Sequence, residues 1–249
     1  MWTFKLISLF SILLITLISG LYPFFKKLKS KDEPNFLIPE SVAAGVFLGA
    51  ALIHMLGDAS QRFYQLSFHY PLAFLLTGTT FLFLLWLEHI GREIVSHEGS
   101  SSSTFAILAT LMLSIHAFLM GAALGLGKSF SVMFVIFLAI IAHKWAESFS
   151  LAVQVNKSHF QFKTNLMLFL VFSLMTPFGI LLGATANTFF GNYPLLQPIF
   201  SSLAAGTFLY LGTLHGLEKA TLVKQCCDLK RFYFVILGFA IMAVVAIWT

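Results

Sequence analysis

Two pairs of residues carry the side chains that are best suited to chemistry. His116 and Met120 are four residues apart, and so are His143 and Glu147. Side chains at this spacing lie on one face of an α-helix. Two imidazoles and a carboxylate suit zinc and other first-row divalent cations, with water or a thioether completing the coordination shell. The pattern predicts a metal site formed by these four residues; the alternative is that each histidine is a structural residue of a buried helix.

Lys144 directly follows His143 and brings a positive charge to the predicted site. A buried ammonium group is costly unless it pairs with a carboxylate or takes the position of a second metal ion. The alternative is a side chain that extends along a cavity to reach water. The sequence leaves these interpretations open.

The composition places these residues in a membrane protein. The chain has 249 residues, of which 58% are hydrophobic and only 10% are charged. Soluble domains have about 25% charged and about 45–50% apolar residues, so a soluble enzyme is excluded. The net charge is +5, but no basic patch with interleaved aromatic residues is present, which argues against nucleic-acid binding. The expected partners are a lipid bilayer and a cation.

Eight apolar segments are predicted to be transmembrane helices of a single all-α domain that covers residues 1–249. They run over about 2–25, 36–60, 70–91, 104–127, 130–155, 165–188, 198–219 and 231–248, close to the roughly 20 residues that a membrane span needs. The first segment is predicted to be a retained helix and not a cleaved signal peptide, because its apolar stretch continues to Phe25 before the lysines begin. The stretch 100–103 is predicted to be a flexible, serine-rich linker.

The distribution of Lys and Arg predicts the orientation. Eleven lie in the loops after the first, third, fifth and seventh segments, and three lie on the other side, with Lys144 set aside within a helix. Loops rich in Lys and Arg remain in the cytoplasm. Both termini are therefore predicted to be extracytoplasmic, and the plasma membrane is the expected location.

Other ionisable residues lie near the ends of the segments. His54 and Asp58 share a helix face near the outer end, which suits a funnel for incoming cations, although an ordinary helix-end pair explains the spacing equally well. A second group lies near the cytoplasmic ends and is predicted to form an exit route: Glu88, His89, His215 and Glu218.

Small residues predict close helix packing. Glycine pairs at a spacing of four allow helix backbones to approach each other in lipid. The pairs are Gly45/Gly49, Gly121/Gly125, Gly179/Gly183 and Gly212/Gly216. Pro177 lies inside the sixth segment, where it frees a backbone carbonyl and is expected to kink the helix.

Several of these motifs resemble those of the ZIP (Zrt/Irt-like) metal transporters. The segment 116–125, HAFLMGAALG, resembles the fourth-helix signature of that family, and 143–149, HKWAESF, resembles the fifth-helix signature. The segments HMLGDA (54–59), MTPFG (175–179) and AGTFLY (205–210) are similar to motifs of its second, sixth and seventh helices. The resemblance covers at least five of the eight predicted helices, in order.

The resemblance implies influx of a divalent cation, usually zinc and sometimes iron or manganese, through a site made by His116, His143 and Glu147. It also implies homodimers and a rocking or elevator-like motion of the helix bundle that contains the site. The cation, which could also be cadmium, is the transported substrate, and no resident cofactor is expected. In family members that hold two adjacent metals, the positions of Ala117 and Lys144 belong to the second metal, so a lysine there favours a single-metal site.

The sequence departs from the family pattern at Met120, where a carboxylate is usual, and at His215, where glutamate is common. Met120 either offers a soft thioether ligand or only fills space while water replaces the missing oxygen. Its presence leaves open a transport-deficient homologue that acts as a metal sensor or receptor. An intramembrane metallohydrolase is disfavoured, because Lys144 follows His143 where the H-E-x-x-H motif requires its glutamate.

Overall fold

The chain folds into helices joined by short turns. A computed structural model describes residues 1–25, 36–96, 101–189, 194–214 and 229–248, and within these ranges it contains no β-strand. The helical elements are α1 (Trp2–Phe25), α2 (Leu37–Gly49), a π-helical turn (Ala50–Met55), α3 (Leu56–Gln65), α4 (Leu72–Ser96), α5 (Ser101–Leu126), α6 (Phe130–Asn156), α7 (Phe162–Phe189), α8 (Leu196–Tyr210) and α9 (Leu229–Val245).

Six stretches of helix in the described ranges are long and apolar enough to cross a membrane. They are Trp2–Phe25, Leu37–Gln65, Leu72–Gly91, Ala106–Leu126, Phe130–Asn156 and Phe162–Ala186, and they correspond to the first six predicted segments. The shorter α8 and α9, with 15 and 17 residues, overlap the seventh and eighth predicted segments, and each begins two residues before the predicted start. The prediction of an all-helical protein with membrane-spanning helices is therefore confirmed.

Large apolar side chains cover the outer surface of this bundle. Phe10 is 65% exposed and Ile18 is 66% exposed on α1, and Leu82 is 62% exposed on α4. Such a surface would be unfavourable in water but matches the hydrocarbon of a bilayer, where helices satisfy their own backbone hydrogen bonds. The exposed faces of α1 and α4 therefore fit contact with lipid.

The linker predicted at 100–103 is wrong for its last three residues. The helix α5 already begins at Ser101, and Ser103 is buried. Serine is tolerated well at a helix N-terminus because its hydroxyl can hydrogen-bond the free backbone N–H groups of the first turn. The serine-rich composition therefore marks the start of a helix here. Residue 100 lies outside the described ranges.

The second predicted segment is longer than expected and is not uniformly α-helical. The elements α2, the π-helical turn and α3 follow one another without a break from Leu37 to Gln65. The π-helical turn contains His54. Turns of this kind are uncommon inside α-helices and are found frequently at functional sites.

The glycine pairs bring helix backbones into direct contact, as predicted. A Cβ atom added at Gly121 would overlap the carbonyl oxygen of Thr176 on α7, and one added at Gly179 would overlap the carbonyl oxygen of Phe118 on α5. Gly45 on α2 meets the carbonyl oxygen of Val235 on α9 in the same way. Only glycine allows these approaches. Gly216 lies outside the described ranges.

These contacts place α5 and α6 inside the bundle. The helix α5 packs most extensively on α7 and also contacts α8 and α6, while α6 packs on α1. The helices α2 and α9 form another close pair, and α4 packs on α8. Pro177 lies within α7, which continues beyond it to Phe189; the kink stays a prediction. The two helices that carry the predicted metal ligands thus each pack against several other helices.

Candidate metal site

Three metal-binding side chains from α5 and α6 converge in the interior of the protein. Nε2 of His116 lies 3.1 Å from Oε1 of Glu147, and Nε2 of His143 lies 3.4 Å from the same oxygen. All three side chains are at most 1% exposed. One ligand atom from each residue lies within 4.8 Å of the other two. The short connection between α5 and α6 thus brings the two halves of the site together across an antiparallel pair of helices.

The spacing of these atoms fits a small tetrahedral cation. Zinc binds imidazole nitrogen and carboxylate oxygen at about 2.0–2.2 Å, so two ligands of a tetrahedral ion lie roughly 3.4 Å apart. The two measured distances to Glu147 Oε1, 3.1 and 3.4 Å, are close to that value. Three protein ligands leave one position of the tetrahedron for water, the arrangement found where a metal must exchange ligands.

Thr207 on α8 orients the ring of His116. The Thr207 hydroxyl donates to the carbonyl oxygen of Ala204 at 2.6 Å, and Nδ1 of His116 lies 2.6 Å from that hydroxyl and 3.1 Å from the same carbonyl. A carbonyl only accepts, and the hydroxyl proton is already engaged, so Nδ1 carries the ring proton and donates it. Nε2 of His116 then has a free lone pair directed at Glu147. Hydrogen bonds of this kind fix the tautomer of metal-binding histidines.

His143 has no hydrogen bond from either ring nitrogen within the described chain. It is fully buried, and its Nε2 approaches Glu147 without the geometry of a hydrogen bond. A buried polar atom without a partner costs about 1–3 kcal/mol. Coordination of a cation would satisfy Nε2, so the surroundings of the ring fit a metal ligand better than a structural hydrogen-bonding residue.

Phe208 on α8 covers the two imidazoles. Its ring stacks on His116 with a centroid distance of 3.7 Å and meets His143 edge-on at 5.0 Å. Phe47 on α2 packs in turn against Phe208, with 4.9 Å between the ring centroids. These aromatic rings separate the site from the neighbouring helices and exclude water on that side.

Lys144 does not extend to water. Its side chain is 1% exposed, Nζ lies 2.7 Å from Oε2 of Glu147, and the ammonium group lies 4.4 Å from the ring centroid of Phe172 on α7. Of the interpretations left open by the sequence, the structure therefore favours pairing with a carboxylate. Glu147 faces the imidazoles with one oxygen and the ammonium group with the other.

The remaining residues of the predicted site lie on the same stretch of α5. Ala117 is 1% exposed and Met120 is 3% exposed, and both belong to the hydrophobic core. Packing in that core agrees with the space-filling interpretation of Met120. Its role as a thioether ligand stays a prediction.

The predicted funnel residues lie on one face of the continuous helical stretch Leu37–Gln65. Nδ1 of His54 is 3.9 Å from Oδ2 of Asp58, with His54 buried and Asp58 29% exposed. One turn further, Arg62 lines a cavity of about 350 Å³ between the ends of α3 and α5 and the start of α6. At the deeper end, the π-helical turn that contains His54 contacts α6, the helix that carries His143. This face of the helix therefore runs from the cavity towards the side chains of the candidate metal site.

The predicted exit residues do not all face the same way. Glu88 is buried and accepts a short hydrogen bond from the hydroxyl of Tyr210 on α8. The neighbouring His89 is exposed, and its Nδ1 lies 3.0 Å from the carbonyl oxygen of Leu85 in its own helix. Adjacent side chains of a helix point about 100° apart, and here one faces the interior of the protein and the other its surface. His215 and Glu218 lie outside the described ranges.

Comparison with known families decides the identity of the chain. The sequence profile of the ZIP zinc transporters matches residues 2–104 and 96–246, nearly the whole chain. The chain belongs to the ZIP zinc transporter family. The resemblance inferred from five helical motifs is thereby confirmed.

Individual ZIP relatives align over different lengths. Zinc transporter ZIP2 from Mus musculus is 26% identical over 302 aligned residues, which cover 98% of this chain and 97% of the relative. Zinc transporter ZIP1 from Bos taurus is 30% identical over 62% of this chain and 48% of its own length. Protein zntD from Dictyostelium discoideum is 34% identical over 63% of this chain, but the match covers only 23% of that longer protein.

Family membership also settles the question of enzyme activity. ZIP proteins are transporters, and the relatives ZIP1 and ZIP2 are named as such. The protein is therefore a member of a metal-transport family and not an intramembrane metallohydrolase.

Sequence reasoning missed the contribution of α8 to the site. The residues in question are Thr207 and Phe208, which contact His116. A signal was available, because the stretch 204–209, AAGTFL, repeats 43–48, AAGVFL. The equivalent phenylalanines of the two repeats, Phe47 and Phe208, contact each other. In both places a π-helical turn begins seven residues after the first residue of the repeat, at Ala50 and at Leu211. Such a repeat marks a packing motif that is used twice.

Proposed function

We propose that this ZIP protein carries divalent cations, with zinc as its main substrate, across the membrane into the cytoplasm through His116, His143 and Glu147. The convergence of three ligand atoms within 4.8 Å of one another in a buried position carries the proposal. A carrier must release its cargo, and a site with three protein ligands and one exchangeable position is suited to that requirement.

Zinc is favoured by the ligand set and by the relatives. Two imidazoles and one carboxylate are typical zinc ligands, whereas the harder cations magnesium and calcium prefer oxygen ligands alone. The relatives ZIP1 and ZIP2 are named zinc transporters. Iron, manganese and cadmium are the competing substrates, and uptake of each by the wild type and by Met120→Glu would rank them. The cation is cargo, so no resident cofactor is proposed.

The proposed path starts at the outer cavity beside Arg62. The cation passes Asp58 and His54 on α3 and the π-helical turn, sheds water and reaches His116, His143 and Glu147. It then leaves towards the cytoplasmic side, where Glu88, His89, His215 and Glu218 are the candidate exit residues. The cavity and the contact between the π-helical turn and α6 support the first half of this path.

The orientation and assembly of the protein are part of the same proposal. Eight spans with both termini outside would place the cavity at the extracytoplasmic face, as the excess of Lys and Arg on the other side suggests. The plasma membrane and a homodimer are the proposed location and assembly. In an alternating-access cycle, the bundle that holds the site would move relative to its neighbours.

Zinc uptake by proteoliposomes tests the proposed site. Purified protein carrying His143→Ala should lose most of the zinc flux, because one of three ligands is gone. His69→Ala is a matched control, since His69 is exposed in the turn before α4. Undiminished uptake by His143→Ala would contradict the assignment.

The same preparation separates transport from sensing. Met120, in place of the usual carboxylate, is the observation that motivates a sensor or receptor. Zinc binding by the purified wild type without measurable flux would favour that second function. Flux that disappears together with binding in His143→Ala would favour transport.

A further inference from the structure

Lys144 occupies a position in the site that metal binding alone does not explain. It offers only hydrogen-bond donors, so it cannot coordinate a cation while it is charged. Within the described chain its hydrogen-bond acceptor is Oε2 of Glu147, at 2.7 Å. Its ammonium group also faces the ring of Phe172, which stabilises a cation but accepts no conventional hydrogen bond. Lys144 therefore depends on Glu147.

Glu147 depends equally on Lys144. Its carboxylate is 1% exposed, and Phe208 covers the imidazoles around it, stacked on His116 and edge-on to His143. A carboxylate that is buried without a positive partner is strongly destabilised. When a metal ion is bound, the ion supplies that charge. When the carrier is unloaded, the ammonium group of Lys144 is the nearest positive charge.

The two oxygens of Glu147 allow both partners to be present. Oε1 faces Nε2 of His116 and Nε2 of His143, whereas Oε2 faces Lys144. A cation bound on the imidazole side can use Oε1 alone, so the ammonium group can remain on Oε2. Lys144 would then limit Glu147 to one ligand oxygen and weaken binding through the repulsion between two positive charges.

We propose that Lys144 is the resident counter-cation of Glu147, which keeps the unloaded site neutral so that the carrier returns across the membrane without a second cation. This inference rests on the proposed function, since it describes the return step of a carrier. A site that carried a bare negative charge through the bilayer would return slowly or would require a co-transported ion. With Lys144 in place, the free energy of moving the unloaded site is lowered.

Two modes of zinc flux test the role of Lys144. Uptake into zinc-free proteoliposomes requires the unloaded carrier to return, whereas exchange of labelled zinc against internal zinc does not. Lys144→Gln should lower the maximal rate of uptake into zinc-free vesicles at least about tenfold, because a carboxylate at this depth is left unneutralised. Its exchange rate should not fall, because exchange moves only the loaded carrier, whose net positive charge is lowered. Its half-saturation concentration for zinc should fall, because repulsion is removed.

Two further variants control for loss of packing. Lys157→Gln removes a second lysine–glutamate pair of the described ranges, in which Lys157 Nζ lies 2.6 Å from Oε1 of Glu40 and both side chains are partly exposed. This variant should leave both modes unchanged. Lys144→Arg keeps the charge and should retain the wild-type ratio of the two rates. A Lys144→Gln protein with the wild-type ratio and half-saturation concentration would overturn the proposal.

The wild type provides a test that needs no variant. Replacing internal sodium and potassium by a large organic cation, at constant pH and with the membrane potential clamped, should not change zinc uptake. A strict requirement for a small internal cation would overturn the role of Lys144. Absence of zinc flux in the wild type would instead contradict the proposed function, so the two failures are distinguishable.

Discussion

The helix α5 makes two different contacts, and the difference separates the part of the protein that holds the helices together from the part that forms the candidate metal site. Towards α7, Gly121 and Gly125 bring the two backbones together, with no side chain of their own between them. Towards α8, His116 presents an imidazole that stacks on Phe208 and donates to Thr207.

These contacts differ in how much they can be changed. Backbone atoms at van der Waals distance leave no freedom for the helices to slide or for a side chain to be added. Contacts between side chains can be broken and remade by rotation, so a ligand such as His116 can be reoriented at moderate cost. We therefore expect changes at the α5–α7 contact to affect stability, and changes at the α5–α8 contact to affect metal binding.

The largest effect should follow from Gly121→Leu. Its Cβ atom would overlap the carbonyl oxygen of Thr176, which belongs to a helix and cannot move alone. Overpacking of this kind costs about 3 kcal/mol or more, a large part of the stability of a typical protein. The yield of monodisperse protein in detergent and its Tm should therefore fall sharply.

Gly78→Leu on α4 provides the control for that variant. A Cβ atom at Gly78 meets no atom within 4 Å, so this protein should be obtained in normal yield. Equal losses for both variants would show that leucine itself, and not the contact with α7, is harmful.

A smaller effect, on affinity, should follow from Thr207→Val. Valine has a similar shape but cannot accept the hydrogen bond from Nδ1 of His116, which would retain only the carbonyl oxygen of Ala204 at 3.1 Å. Loss of such a partner weakens metal binding about 10- to 100-fold. Because Nδ1 of His116 can still donate to the carbonyl oxygen of Ala204, we expect a loss near the lower limit, about tenfold. Zinc titration of the purified protein measures it.

Thr207→Ser separates the hydroxyl group from the methyl group. Serine keeps the acceptor and should keep most of the affinity, and Tm should fall by no more than a few degrees in either variant. A drop in Tm as large as that of Gly121→Leu would remove the distinction between the two faces of α5.

The smallest effect is expected on the far side of α8, at its contact with α4. The hydroxyl of Thr77 donates to the carbonyl oxygen of Ser202 at 3.0 Å. Thr77→Val should lower stability by about 1 kcal/mol, the net value of a buried neutral hydrogen bond, and Tm by about 2–4 °C. Thr80→Val removes a hydroxyl that bonds within its own helix, to Leu76, and should have a smaller effect. Zinc affinity should not change in either.

Much of the architecture and half of the site could be predicted from the sequence. The apolar segments predicted the helices, with the largest errors at their ends, where Ser101–Ser103 and 61–65 are helical. The spacing of His143 and Glu147 predicted their common face. The glycine pairs predicted close packing, although not that α5 would pair with α7 and α2 with α9.

The rest depended on contacts between distant parts of the chain. The sequence pattern grouped Glu88 with His89, yet helix rotation buries the first against Tyr210 and exposes the second. The same pattern could not show that Thr207 lies beside His116, because nothing in local spacing relates positions 91 residues apart.

The sequence by itself determined which side chains could bind a metal and that they lie on apolar helices, because helical periodicity and membrane hydropathy are local properties of the chain. The tertiary structure alone decided which oxygen of Glu147 faces the imidazoles and which faces Lys144, and which residues of α8 complete the site. Those choices depend on the rotation and register of packed helices, which are set by long-range contacts such as the glycine-mediated approach of α5 to α7.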